Sequence, residues 1–367
     1  MKLSHITLRH LRMPLRTPFE TSFGRSNNRD CILLEAECDG LTGYGECVAD
    51  ADPGYGYETV GTAGHILRDF LIPAVLGKEI AGPGDMHHLT GGVRGHQMAK
   101  AGLEMVLWDL KGKQENKSLQ ALLGGVHPQV EVGVSVGIQE SPGALVQVVE
   151  GYLEKGYTRI KIKIKPGRDV VEAKAVRDAF PGLRLQVDAN SAYTPETASL
   201  LKPLDELSLL LIEQPLSEDD LWDHHYLQAQ FTTPICLDES ILSRRHARQA
   251  LEMGSCRIIN IKTGRVGGLS EAVAIHDFCQ SRSVPVWCGG MLETGVGRAA
   301  NLALSSRPGF TLPGDISATD RYYVEDITEQ VFRLNPGSTI DVPAGPGLGV
   351  SIHAQALEKV TQAKLTV

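Results

Sequence analysis

Five ionisable residues that close short apolar runs recur at a nearly constant spacing. They are Lys163 in RIKIKIK, Asp188 in LRLQVDAN, Glu213 in LLLIEQP, Asp238 in PICLDES and Lys262 in RIINIK. The intervals are 25, 25, 25 and 24 residues. A strand, a helix and two short loops fill such an interval, so each residue takes the same place in a repeating βα unit. Trp287 in WCGG lies 25 residues beyond Lys262, LPGD near Asp315 follows, and VEVGVSVG around Ser135 supplies one more strand upstream. Eight strands at this period predict an α/β fold, a closed (β/α)8 barrel of the TIM type, with its site at the C-terminal ends of the strands.

Parity along the strands sets the direction of the charges. In RIKIKIK, Lys161 and Lys163 share one face while Ile160, Ile162 and Ile164 share the other. Helices cover the outside of a barrel, so the apolar face points outward and the charged one inward. Barrel interiors are ordinarily filled with branched apolar side chains. Inward lysines and carboxylates therefore mark a site.

The chain of 367 residues is longer than the roughly 200–250 of a bare barrel, leaving room for a second domain. With net charge −8 and no Lys/Arg cluster, nucleic acid is an unsuitable partner. No apolar run approaches the roughly 18 residues of a membrane span, and the start MKLSHITLRHLRMP lacks a signal-peptide core. Seven scattered cysteines without CxxC spacing suggest a reduced cytoplasmic protein and no zinc site.

The first 125 or so residues break the period. Residues 2–13 read as a strand, followed by Pro14 and a loop, FETSFGRS. CILLEAECDGLTGYGECV reads as a hairpin turning near Asp39–Gly40, and helical patterns follow around Tyr57–Phe70 and Ala99–Gln114. The expected division is an α+β capping domain over residues 1–125, a catalytic barrel over 126–320, and a segment, 321–367, returning to the cap.

Asp188, Glu213 and Asp238 end successive strands, so their carboxylates should converge on the barrel rim. Three crowded carboxylates repel unless a cation sits among them. All-oxygen ligands suit a hard ion, Mg²⁺ best of all, with Mn²⁺ or another divalent ion able to substitute. A single such acid could equally be a salt bridge or a strand-end cap; three in register are harder to explain that way. Lys163 and Lys262 fall four strands apart, on opposite sides of the mouth. A lysine acting as base must lose its proton far below its usual value of about 10.4. Lys161 beside Lys163, Arg265 beside Lys262 and partial burial should push both lysines down. The plainer alternative is that the lysines only neutralise the carboxylates. A cation flanked by two bases suits removal of the weakly acidic α-proton of a carboxylate, since the new charge develops on oxygens touching the metal. Returning a proton to the opposite face gives racemisation, and departure of a leaving group gives elimination.

KIKIKPG, VDANSAYT, LLIEQPL, PICLDES, NIKTGRVGG, PVWCGGMLETGVGRAAN and LPGD together resemble the enolase superfamily. The likeness is to its muconate-lactonizing-enzyme subgroup, in the branch of o-succinylbenzoate synthases and N-succinylamino acid (N-acylamino acid) racemases. A Lys or His base with Mg²⁺ is an established pattern of that superfamily. The resemblance implies Lys163 and Lys262 as the acid/base pair and Asp188, Glu213 and Asp238 as Mg²⁺ ligands. It implies substrate contacts at Ser135, Lys161, Asn190, Gly290 and Met291, and support from Arg265 and Glu239. FETSFGRS resembles the mobile loop of the cap, so Phe19 and Phe23 would close over the ligand, with plain packing as the alternative. The substrate would be a small carboxylate with a succinyl or other acyl arm, and the protein a homo-oligomer.

Two activities share that branch. One dehydrates 2-succinyl-6-hydroxy-2,4-cyclohexadiene-1-carboxylate on the menaquinone pathway; the other inverts N-acylamino acids. Both are expected here. Racemisation as the main activity, or another activity of the subgroup such as dipeptide epimerisation, are the alternatives. A lyase using Lys262 as a Schiff-base nucleophile would leave the carboxylate trio unexplained, as would a non-catalytic barrel.

Overall fold

The structure, a computed structural model, describes all 367 residues. Its first sheet is built from β1 (His5–Thr21), β2 (Gly24–Cys38) and β3 (Leu41–Cys47). Asp39 and Gly40, both at positive φ (52° and 79°), make the two-residue turn between β2 and β3, as a tight hairpin following strand twist requires. FETSFGRS is not a free loop: β1 runs through it and turns back at Ser22–Phe23. The β1–β2 ladder slips register between Pro14 and Phe19. Pro14 and Pro18 carry no N–H, so the ladder has no donors there and the strand bulges. Helix Gln97–Glu115 packs across this sheet, close enough that a Cβ on Gly102 would lie 2.8 Å from the Cys47 nitrogen.

The remaining strands are β4 (Gln129–Glu131), β5 (Val134–Val136), β6 (Arg159–Lys163), β7 (Arg184–Asp188), β8 (Ile212–Glu213), β9 (Ile235–Leu237), β10 (Ile258–Ile261), β11 (Val286–Cys288), β12 (Thr339–Asp341) and β13 (Thr361–Thr366). Strands β5 to β11 form one parallel sheet in chain order, the βα repeat that the spacing predicts. The eighth stave differs from expectation. Around LPGD there is no strand, only single bonds: Asp315 N to Cys288 O (2.9 Å), Gly314 N to Glu131 O (3.1 Å) and Gly133 N to Gly314 O (2.8 Å). Pro313 removes one donor and Gly314 weakens the extended state, so the barrel closes through a bridge rather than a ladder. After the barrel, β12 pairs with β4, and β13 joins the first sheet beside β1.

Ile160, Ile162, Ile164, Leu185 and Val187 belong to the main apolar core outside the barrel. Inside, Leu211, Cys236, Ile258 and Trp287 form a separate small cluster. The barrel thus has a dry floor and, above it, a layer of charge. No helix is long and apolar enough to cross a membrane.

Candidate active site

Sheet register brings the periodic residues together. Lys163 pairs directly with Asp188, and Asp188 with Glu213. Glu213 lies opposite Cys236, so Asp238 stands two residues higher, and Lys262 follows β10 directly. Such a stagger is what tilted barrel strands produce. Asp188, Glu213 and Asp238 are fully buried, and Lys161, Lys163 and Lys262 nearly so. Charges out of water demand partners, and each has them. Lys163 donates to Asp188 Oδ2 (2.6 Å) and Asn190 Oδ1 (2.7 Å). Lys262 donates to Asp238 Oδ2 (2.7 Å) and the Tyr55 hydroxyl (3.2 Å). Lys161 reaches Asp188 (3.0 Å), Glu213 (2.9 Å) and Asp315 (2.7 Å). Arg265 donates to Asp238 Oδ1 and, through Nε, to Ile241 O (2.8 Å).

The two lysines are tuned in opposite directions. Burial pushes Lys163 down further than Asp188 pulls it up, and Lys161 adds repulsion. Burial also works against the charge on Lys262, but Tyr55, Glu213 and Glu239 outweigh it and hold that lysine above its ordinary value. The expectation that both are lowered therefore holds for Lys163 alone, because groups around Lys262 favour its proton. A raised Lys262 is also poorly prepared to be a Schiff-base nucleophile. Burial would raise Asp188, yet Lys163 and Lys161 keep its carboxyl well below the usual range. Glu213 is raised by burial and by Asp188. Glu239 is pushed up to about 7, first by burial and then by Asp188.

A cavity of about 260 Å³ lies over these groups, lined by Phe19, Phe23, Ser135, Lys161, Lys163, Asn190, Lys262, Gly290 and Met291, among others. Ser135 Oγ is buried and makes no hydrogen bond. Phe23 is half exposed, at 48%. Three of the expected substrate contacts line the cavity and already have partners within the chain. Met291 is no free backbone donor: its N–H bonds Glu293 Oε2 (2.9 Å) and its carbonyl accepts from Arg29 (2.8 Å). Asn190 is committed within the chain, accepting from Lys163 and donating to Glu239 Oε1 (2.8 Å). Lys161 lines the cavity, but its ammonium already bridges three carboxylates. Sequence reasoning missed Tyr55, Asn260 and Asp315. Asn260 donates to Glu213 Oε1 (2.7 Å); its parity with Lys262 was the available signal. Tyr55 comes from a non-periodic loop of the first domain and carried none.

Matches to known protein families cover most of the chain. Residues 4–124 match the N-terminal domain of mandelate racemase / muconate lactonizing enzyme, and residues 144–356 match the enolase C-terminal domain-like family. The chain belongs to the enolase superfamily. Within it, the chain is 50% identical to an o-succinylbenzoate synthase of Geobacillus kaustophilus over 99% of this chain and 96% of the relative. It is also 50% identical to an N-succinylamino acid racemase of an Amycolatopsis species, over the full length of both. A solved enolase superfamily member of Listeria innocua superposes with a TM-score of 0.96 at 42% identity, covering 100% of this chain and 99% of that one. The protein is thus an enzyme of the muconate-lactonizing-enzyme subgroup, whose members depend on a divalent metal.

The residues present fit such an ion in kind. Every candidate donor is a carboxylate oxygen, and two more side-chain oxygens at the same level, Glu239 Oε2 and Asn260 Oδ1, are buried without a partner. The convergence expected of the three acids is only partial: no three acidic or histidine side chains lie close enough to grip one ion as they stand. Lys161 intervenes between Asp188 and Glu213, while Lys262 and Arg265 occupy Asp238.

Proposed function

We propose that this superfamily member is an o-succinylbenzoate synthase. It dehydrates 2-succinyl-6-hydroxy-2,4-cyclohexadiene-1-carboxylate on the menaquinone pathway and racemises N-succinylamino acids with the same machinery. The observation that carries the reading is the pair of buried lysines, four staves apart, lining one cavity. Residues 1–125 form the cap, 126–320 the catalytic barrel, and 321–367 return to the cap. Asp188, Glu213 and Asp238 would hold Mg²⁺, with Mn²⁺ or another divalent ion able to substitute. When bound, the ion would supply positive charge for the substrate carboxylate and for the charge that develops on it.

The remaining work falls to the chain's own groups. Lys163, lowered by burial, accepts the α-proton. Lys262, held protonated, offsets the negative charge that develops on the substrate, and the ring hydroxyl departs as water with the proton that Lys163 has accepted. In racemisation Lys262 delivers a proton to the opposite face instead. Phe19 and Phe23 cover the cavity and exclude water. Five buried acids (Asp188, Glu213, Asp238, Glu239, Asp315) face five buried cations (Arg159, Lys161, Lys163, Lys262, Arg265). The seven cysteines are all buried free thiols, in keeping with a reducing cytoplasm.

The test is to give the Mg²⁺-loaded protein both substrates in D₂O. Loss of diene absorbance reports dehydration; deuterium at the α-carbon with loss of optical rotation reports racemisation. Failure of both would end the proposal.

A further inference from the structure

Resting on this reading, we infer that Tyr55 is a positioning residue for Lys262. Through it, the cap controls proton transfer on one face of the substrate and not the other.

The two lysines are held by different means. Both hydrogen-bond acceptors of Lys163, Asp188 and Asn190, come from the barrel. Lys262 has one barrel acceptor, Asp238, and its second is the hydroxyl of Tyr55, delivered from the cap. Its Nζ also lies over the Tyr55 ring, 4.4 Å from the centroid, close enough for a cation–π attraction. The nearest aromatic ring to Lys163, Phe19, is 5.9 Å away and has no hydroxyl. Tyr55 also anchors what anchors Lys262. Its hydroxyl donates to Asp238 Oδ1 (3.0 Å), while Asp238 Oδ2 accepts from Lys262. A lone ammonium on a flexible stem has little orientation of its own. Hydroxyl, ring face and carboxylate together define one position.

The loop that carries Tyr55 is built to hold it. Its base is closed where Val60 N donates to Asp50 O (2.8 Å), and Asp50 is itself paired with the buried Arg29 (2.8 Å). Gly54 lets the Phe23 ring pack against the loop, since a Cβ there would come within 2.5 Å of that ring. The loop and the β1–β2 hairpin therefore seat against one another.

The experiment compares deuterium exchange from each enantiomer of an N-succinylamino acid, at saturating concentration, in wild type, Lys163→Ala, Lys262→Ala, Tyr55→Phe and Tyr55→Leu. Lys262→Ala identifies the enantiomer whose exchange depends on Lys262. Tyr55→Phe keeps the ring and removes the hydroxyl; Tyr55→Leu removes both. Exchange from that enantiomer should slow on the order of tenfold in kcat in Tyr55→Phe and further in Tyr55→Leu. Exchange from the other enantiomer should stay within about twofold. Equal slowing of both, or a rise in KM alone, would make Tyr55 a substrate contact and overturn the inference. Should wild type exchange neither enantiomer, the functional reading falls, and the crystal structure of Tyr55→Leu decides. Lys262 displaced beside an unmoved Lys163 upholds the positioning role; Lys262 still seated on Asp238 overturns it.

Discussion

The Lys163 and Lys262 sides of the mouth are near mirror images in chemistry and opposites in construction. Over Lys163 lies the β1–β2 hairpin, a long projection tied down at few points. Ser22 Oγ donates to Asn190 O (3.1 Å), Lys165 pairs with Glu20 (3.2 Å), and Ile138 N donates to Glu20 O (2.9 Å). Behind Lys262 stands helix Gln97–Glu115. From it the buried Glu104 reaches across to the first turn of helix Leu269–Gln280, accepting from Ser270 N (3.2 Å). A second buried acid, Glu46 of β3, does the same for helix Gly295–Ser305, accepting from Thr294 N (3.1 Å) and Gly297 N (2.9 Å). One side is covered by a flap and the other is bolted through both domains. The Lys163 side is therefore the more lightly tied of the two, and Lys262 is backed by the more heavily cross-linked wall.

The sharpest way to break this comparison is to remove each amine. Lys163→Ala and Lys262→Ala should each lower racemisation by about 10²–10⁴-fold, the usual worth of a positioned acid or base. Each should chiefly abolish deuterium exchange from one enantiomer. NMR of the α-proton in D₂O would read this, and equal retention of both exchanges would contradict a two-sided site. Chelation of divalent ions should stop both exchanges together, with recovery on adding Mg²⁺, because the carboxylate trio serves both sides. Exchange that persisted from one enantiomer would separate them.

Smaller effects sharpen the contrast. A Cβ on Gly137 would lie 2.8 Å from Glu20 O and 2.9 Å from Glu20 N, so Gly137→Ala must lift the hairpin. Overpacking of this kind costs about 1–3 kcal/mol. Steady-state kinetics should show a KM raised about fivefold or more, with melting temperature little changed. On the bolted side, burial pushes Glu104 up to about 7 from an ordinary 4.5. The folded state then holds this proton more tightly than the unfolded state, so stability from this group is fullest below about pH 4.5 and is lost as pH rises through 7. Glu104→Gln should therefore gain on wild type between pH 5 and 8, by up to about 3 kcal/mol. Urea unfolding at both pH values measures this, and a gap that does not change with pH would mean Glu104 carries no buried charge.

The barrel and its five central residues were legible because they obey two counts: one of about 25 residues between strand ends, the other of two residues along each strand. Asn260 obeys the second count, so it too was within reach. Tyr55 obeys neither, since its meeting with Lys262 bridges 207 positions and two domains. For the same reason the raised Lys262 could not be foreseen: its flanking Arg265 argued for lowering, while the hydroxyl opposing that came from elsewhere. The missing eighth strand was written in Pro313, which has no N–H to donate, and in Gly314, which weakens the extended state, although the spacing pointed past them. The tie from Asn190 to Glu239 spans 49 positions and shows in no local pattern, whereas the Met291 N–H finds its acceptor, Glu293, only two residues on.

The apolar plug of Leu211, Cys236, Ile258 and Trp287 has a consequence for isotope traffic. Solvent hydrogen has no passage to the amines from beneath, so it must enter at the lidded end. The rate at which label appears in substrate would then report how often that lid lifts, even when the bond-breaking step itself is fast.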